Sequence, residues 1–150
     1  MKFKIFLLFV FFCFIEFRID AQEIIITTTS NSISWSPVRV TNSGSQLIWV
    51  GTNSNIGTLT QNINDPTFNF GANNGNLISI VVTGSTGFAG LSSLRIISSN
   101  VQGIDLSNTT ALTNLFLTGN SISNINVSNN SSLTRLLLAN NNFSSIRYNK

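Results

Sequence analysis

Leu91-Ser92-Ser93-Leu94-Arg95-Ile96, Leu112-Thr113-Asn114-Leu115-Phe116-Leu117 and Leu133-Thr134-Arg135-Leu136-Leu137-Leu138 are three versions of one phrase, set 21 residues apart. Counting each leading leucine as position 1, apolar residues recur at positions 1, 4 and 6. A second set follows at 11, 14 and 16: Val101, Ile104 and Leu106; Ile122, Ile125 and Val127; Phe143, Ile146 and Tyr148. A fixed period with fixed apolar columns is the pattern of a solenoid, whose units stack because none buries its own face.

Side chains alternate along a strand, so Leu94 and Ile96 are expected inside while Ser93, Arg95 and Ile97 point out. Stacking the copies then builds three outward columns: Ser93, Asn114, Arg135; Arg95, Phe116, Leu137; and Ile97, Thr118, Ala139. Polar residues stand between positions 14 and 16 (Asp105, Asn126 and Arg147). The back of each copy is therefore expected to be extended or tightly turned, with no long helix.

The segments LTNLFLTGN (112–120) and LTRLLLANN (133–141) follow the pattern L-x-x-L-x-L-x-x-N. Over residues 91–150 the chain resembles leucine-rich repeat proteins, in the short 21-residue form of bacterial cell-surface proteins. The resemblance implies a parallel sheet on a concave face. It also implies an asparagine ladder, with Asn120 and Asn141 satisfying backbone groups where the chain turns. The first copy departs from the pattern: Ser99 stands at the asparagine position, and its turn is expected to be looser. Gly119 and Gly103 are expected to relax the turns they occupy. The third copy stops at Lys150 without the rest of its turn, and no C-terminal cap is evident.

The chain opens Met1-Lys2-Phe3-Lys4, runs apolar from Ile5 to Ile15, and meets Ala21 after Glu16 and Arg18. Basic start, short apolar run and small residue read as a secretory signal peptide over 1–21. Eleven apolar residues fall short of the ~20 that span a bilayer, so no stable membrane span is expected after cleavage. Cys13, the only cysteine, lies in this leader and lacks a lipoprotein context, so the exported part contains no disulfide. Residues 22–150 carry five basic and three acidic side chains, a net charge near +2. The arginines are scattered and no nucleic-acid motif is present, which argues against nucleic-acid binding.

Residues 22–90 read as β-structure without a confident helix. Strands are expected around Val38–Thr41, Leu47–Val50 and Leu77–Val82, and Phe68 and Phe70 are spaced to face one way. Two organisations remain open: a small β-sandwich-like module, or a β-rich cap on the solenoid. Leu77, Ile80 and Val82 share the 1-4-6 spacing, which makes a shortened extra copy conceivable. The fold class is thus mainly β: a short leucine-rich-repeat solenoid preceded by a β-rich N-terminal cap or module.

There is no histidine, which removes triad and most transition-metal chemistry. Asp65, Asp105 and Glu23 are too dispersed to read as a carboxylate pair or a calcium cage. No enzyme activity, cofactor or metal is expected. Asn108, Asn126, Asn129, Asn130 and Asn142 fit the N-glycosylation sequon, as chance matches in so Asn/Ser-rich a chain.

The expected role is a secreted or cell-surface, non-catalytic binding module touching a protein or glycan. Its candidate face is Ser93, Arg95, Ile97, Asn114, Phe116, Thr118, Arg135 and Leu137. Phe116 and Leu137 stand out because a solvated sheet face has no structural need for them; the alternative is that they are incidental. A structural spacer, or the N-terminal piece of a longer adhesin, is the competing role, and the uncapped end is a candidate surface for self-association. An ice-binding face would need a threonine ladder, whereas Ser93, Asn114 and Arg135 occupy its column. N-terminal sequencing of the exported protein is expected to begin at Gln22; a start at Met1 would refute the leader.

Overall fold

The computed structural model describes residues 22–44, 46–51, 56–59 and 65–149. The leader and Cys13 lie outside the described residues, as do Ser45 and Lys150. The described residues form eleven strands and no helix. They are β1 (Glu23–Thr28), β2 (Arg39–Asn42), β3 (Leu47–Gly51), β4 (Ile56–Leu59), β5 (Ile78–Gly84) and β6 (Leu91–Arg95). After these come β7 (Val101–Asp105), β8 (Asn114–Phe116), β9 (Asn124–Asn126), β10 (Arg135–Leu137) and β11 (Ser145–Arg147).

Three sheets result, none closed: β4-β3-β5-β1-β7, β10-β8-β6-β2, and β11-β9. Each 21-residue copy contributes one strand to each side of the molecule. On one side β6, β8 and β10 pair in parallel, with Ser93 beside Asn114 beside Arg135, and Arg95 beside Phe116 beside Leu137. On the other, β9 and β11 pair in parallel, with Ile125 beside Ile146. β7 instead pairs antiparallel with β1, and its link to the next copy is a bond from Ser121 N–H to Val101 O at 2.8 Å.

The N-terminal strands join both sides. β1 lies against β7, and β2 lies antiparallel against β6, with Val40 opposite Leu94. One cluster of buried side chains runs from Ile24 and Ile26 through Leu91, Leu94 and Ile96 to Leu112, Leu115 and Ile125. Trp35, Phe68 and Phe70 pack inside it, the two phenylalanine rings stacked with centroids 5.6 Å apart and Trp35 edge-on to Phe68 at 5.9 Å. The spacing of Phe68 and Phe70 to one side is thereby met.

Two expectations need correction. Leu77–Val82 does not form a further copy: Leu77 is exposed, and Ile80 and Val82 sit in β5 between antiparallel β1 and β3, away from β6. The inward row there is Ile78, Ile80 and Val82, ordinary strand alternation in which every second residue faces the core, and Leu77 lies outside it. A strand absent from the sequence reading, β4, pairs with β3 and sets Leu59 opposite Leu47.

Burial within a column depends on the neighbour above. At position 4, Leu94 is 1% exposed and Leu115 0%, but Leu136 is 37% exposed; at position 14, Ile125 is 3% and Ile146 43%. Leu115→Ala is expected to cost about 2–5 kcal/mol, the range for a fully buried leucine, and Leu136→Ala clearly less. Urea unfolding of both variants checks this; equal losses would mean that the third copy is covered in solution.

Candidate binding face and its buried supports

The four-stranded sheet owes its exposed face to alternation. In β6, Leu94 turns inward and Ser93 and Arg95 turn out; in β8, Leu115 turns in and Asn114 and Phe116 turn out. The parallel register brings the expected columns together across the strands. Ile97, Thr118 and Ala139 follow just beyond the strand ends, where Ser98 N–H donates to Thr118 O at 3.1 Å and Gly119 N–H to Ala139 O at 3.0 Å.

Within the middle column the Arg95 guanidinium carbon lies 5.7 Å from the centre of the Phe116 ring, within the range of a cation–π contact. Leu137, next in that row, is 53% exposed. β2 lengthens the row by one residue: Arg39 lies directly opposite Arg95, and Thr41 opposite Ser93. Arg39 was not among the sequence candidates. The alternation Val38-Arg39-Val40 placed it on an outward face, but only the pairing of β2 with β6 shows which face. Beyond the outer edge of β2, an Asp65 carboxylate oxygen accepts the Val40 N–H at 3.3 Å.

Beneath the face, Asn120 makes all four hydrogen bonds open to an amide. Its Oδ1 accepts from Ser99 N–H at 3.0 Å and Val101 N–H at 3.1 Å. Its Nδ2 donates to Ile96 O at 2.8 Å and Leu117 O at 2.9 Å. Asn141 repeats this one copy later, donating to Leu117 O (2.8 Å) and Leu138 O (3.0 Å) and accepting from Ile122 N–H (3.1 Å). Each ladder asparagine therefore serves its own turn and the preceding copy's.

In the first copy, whose Ile96 carbonyl and Ser99 and Val101 N–H groups Asn120 serves, the N-terminal segment binds the carbonyls of the turn. Trp35 Nε1–H donates to Ser99 O at 3.1 Å, and Thr28 Oγ1 lies 2.9 Å from Ser99 O and 3.0 Å from Asn100 O. The first turn is the more contorted one, with both Ser98 and Asn100 at positive φ. Ser98, Gly119 and Asn140 occupy one column of the repeat, and all three adopt the left-handed backbone. Gly119 thus has the conformational role expected of it. Gly103 does not: it is paired with Thr27 inside the β1–β7 ladder and shows no positive φ.

Two further polar columns escaped the sequence reading. Thr113 Oγ1 donates to Ser92 O at 2.8 Å and Thr134 Oγ1 to Thr113 O at 3.1 Å, each beside the backbone N–H of the same residue. Asn130 is buried, and its Nδ2 reaches Leu106 O, Thr109 O and Thr109 Oγ1 at 2.9–3.1 Å. Its amide nitrogen is occupied inside the fold, which removes Asn130 from the exposed sequons. The signal was present in the sequence as hydroxyl and amide residues at a constant place in the period.

Among the described residues no three His, Cys, Asp or Glu side chains gather as a metal site, and no helix is long and apolar enough to cross a membrane. Comparison of the chain with protein-family models, with curated proteins and with solved structures gave no match.

Replacing Asn120 with Ala strands two N–H groups and the Ile96 carbonyl, while Leu117 O keeps its bond from Asn141. At ~1–3 kcal/mol for each buried group left unpaired, the expected loss exceeds about 3 kcal/mol. Thr113→Val removes a bond to a carbonyl that keeps its backbone partner, and is expected to cost less than about 1 kcal/mol. Denaturant unfolding of the pair measures the contrast, and similar costs would remove the asparagine's special role.

Proposed function

We propose that the chain is an exported, non-catalytic binding module built as a short solenoid of the leucine-rich-repeat kind. On this reading residues 22–90 act as its N-terminal cap, and the outward face of β2, β6, β8 and β10 contacts a protein or glycan on another surface. The observation that carries the reading is the row Arg95–Phe116–Leu137. It is an apolar pair beside a cation on a regular sheet face, where folding alone asks only for polar residues. The rigid ladders beneath support it, because a face that does not reorganise loses little entropy on binding. The leader supports export to the cell surface or medium.

A second reading has its own observation. The outer end of the third copy leaves Leu136, Ile146 and Tyr148 exposed in columns that are apolar throughout the repeat. Such an end accepts another copy, from the same chain or a second molecule, which suits a spacer or a self-associating adhesin segment.

The double variant Phe116→Ser/Arg135→Gln separates these roles. Far-ultraviolet circular dichroism is expected to match the parent, while retention on protein and glycan arrays falls about tenfold or more, as for loss of interface anchors. Unchanged retention, with Leu136→Glu abolishing oligomers in light scattering, would favour the spacer.

A further inference from the structure

The face carries more positive charge than the described carboxylates near it balance. Arg39 and Arg95 are direct cross-strand neighbours, both exposed. Their Cα atoms are therefore ~5 Å apart, and like charges so placed repel. Arg135 stands two strands further on, in the neighbouring column. Among the described residues none of the three arginines forms an ion pair. Of the described acids only Asp65 comes near, lining a shallow cavity with Arg39 at the edge of β2. Glu23 and Asp105 belong to β1 and β7 of the other sheet, and Asp65 is bonded to Val40 N–H beyond the edge of β2. Three of the described arginines thus converge on one sheet, with one described carboxylate, Asp65, at its edge.

We infer that this face binds a carboxylate-bearing polysaccharide, a chain of uronic acid type, with Arg39 and Arg95 gripping one carboxylate and Arg135 reaching a later one. The inference rests on the binding-module reading above and names its ligand chemistry. Guanidinium groups match carboxylates with paired N–H donors, and a shared carboxylate converts the Arg39–Arg95 repulsion into attraction. Thr41, Ser93, Asn114 and Thr118 flank the row with neutral groups that donate to and accept from sugar hydroxyls. The half-buried Phe116 ring holds the Arg95 guanidinium over it, and the exposed Leu137 next in the row offers an apolar surface to the C–H side of a pyranose.

An acidic peptide fits less well. A peptide strand adds to a free sheet edge; the edge beside Arg39 and Arg95, that of β2, already has its Val40 N–H taken by Asp65, and the edge of β10 carries Arg135 alone of the three.

Calorimetric titration of the exported chain with oligogalacturonate, dextran and polyglutamate tests this. Oligogalacturonate is expected to bind, dextran not to, and binding is expected to vanish near ~1 M salt, where the screening length falls to ~3 Å. Arg39→Gln/Arg95→Gln is expected to weaken it about tenfold or more, whereas Arg147→Gln, on the opposite side, leaves it unchanged. Equal loss in the Arg147 variant, or polyglutamate bound as tightly as oligogalacturonate, overturns the inference. If oligogalacturonate fails while the arrays reveal another ligand lost with Phe116→Ser/Arg135→Gln, the carboxylate assignment falls and the binding face stands. If no ligand responds to either variant, both fall.

Discussion

The turn that follows each copy's first strand leaves backbone donors and acceptors inside the protein, and a residue in the next layer must satisfy them. Asn120 answers for Ile96, Ser99 and Val101, and Asn141 for Leu117 and Ile122. An unmet buried amide costs about as much as a leucine contact gains, so the period of 21 residues cannot drift by one without exposing these groups. The same register holds the apolar columns, the threonine hydroxyls and the outward face. Stacking here is a hydrogen-bonding constraint as much as a hydrophobic one.

That constraint also explains the first copy. Ser99 lacks the amide its counterparts carry; Asn120 serves the N–H groups of its turn, and the turn's carbonyls take help from the layer before it. The help comes from a differently built segment: the Trp35 indole and the Thr28 hydroxyl bind the Ser99 and Asn100 carbonyls, while β1 and β2 close the two sides by antiparallel pairing. The antiparallel pairing has a second consequence. It carries Arg39 onto the face of the repeats beside Arg95, so the support of the stack and the charge of its surface arise from one arrangement.

The opposite end shows what an unfilled layer looks like. Leu136 and Ile146 have the same identities and spacing as buried counterparts and differ in lacking a neighbour. The face and the end therefore present different chemistry, cationic with Phe116 and Leu137 on the face and apolar, with Leu136, Ile146 and Tyr148, at the end. These surfaces underlie the binding and spacer readings respectively.

Much of the repeat was legible because its information is periodic. Leu94, Leu115 and Leu136 announce an inward column, Ser93, Asn114 and Arg135 an outward one, and Asn120 and Asn141 a common turn, all from spacing and alternation. The N-terminal half was legible only as strands. Leu77, Ile80 and Val82 imitated the repeat because a strand's alternation and part of the repeat share one spacing, and only the antiparallel neighbours of β5 resolve them. Arg39 likewise had a visible outward phase but no visible neighbour. By itself the sequence determined which residues face in, which face out and at what interval, since these follow from local backbone geometry. Tertiary structure alone decided that β2 lies against β6, that Trp35 and Thr28 bind the carbonyls of the first turn, and that two arginines become cross-strand neighbours. Those contacts join residues more than fifty positions apart without a shared period, and shape, burial and unpaired backbone groups select them.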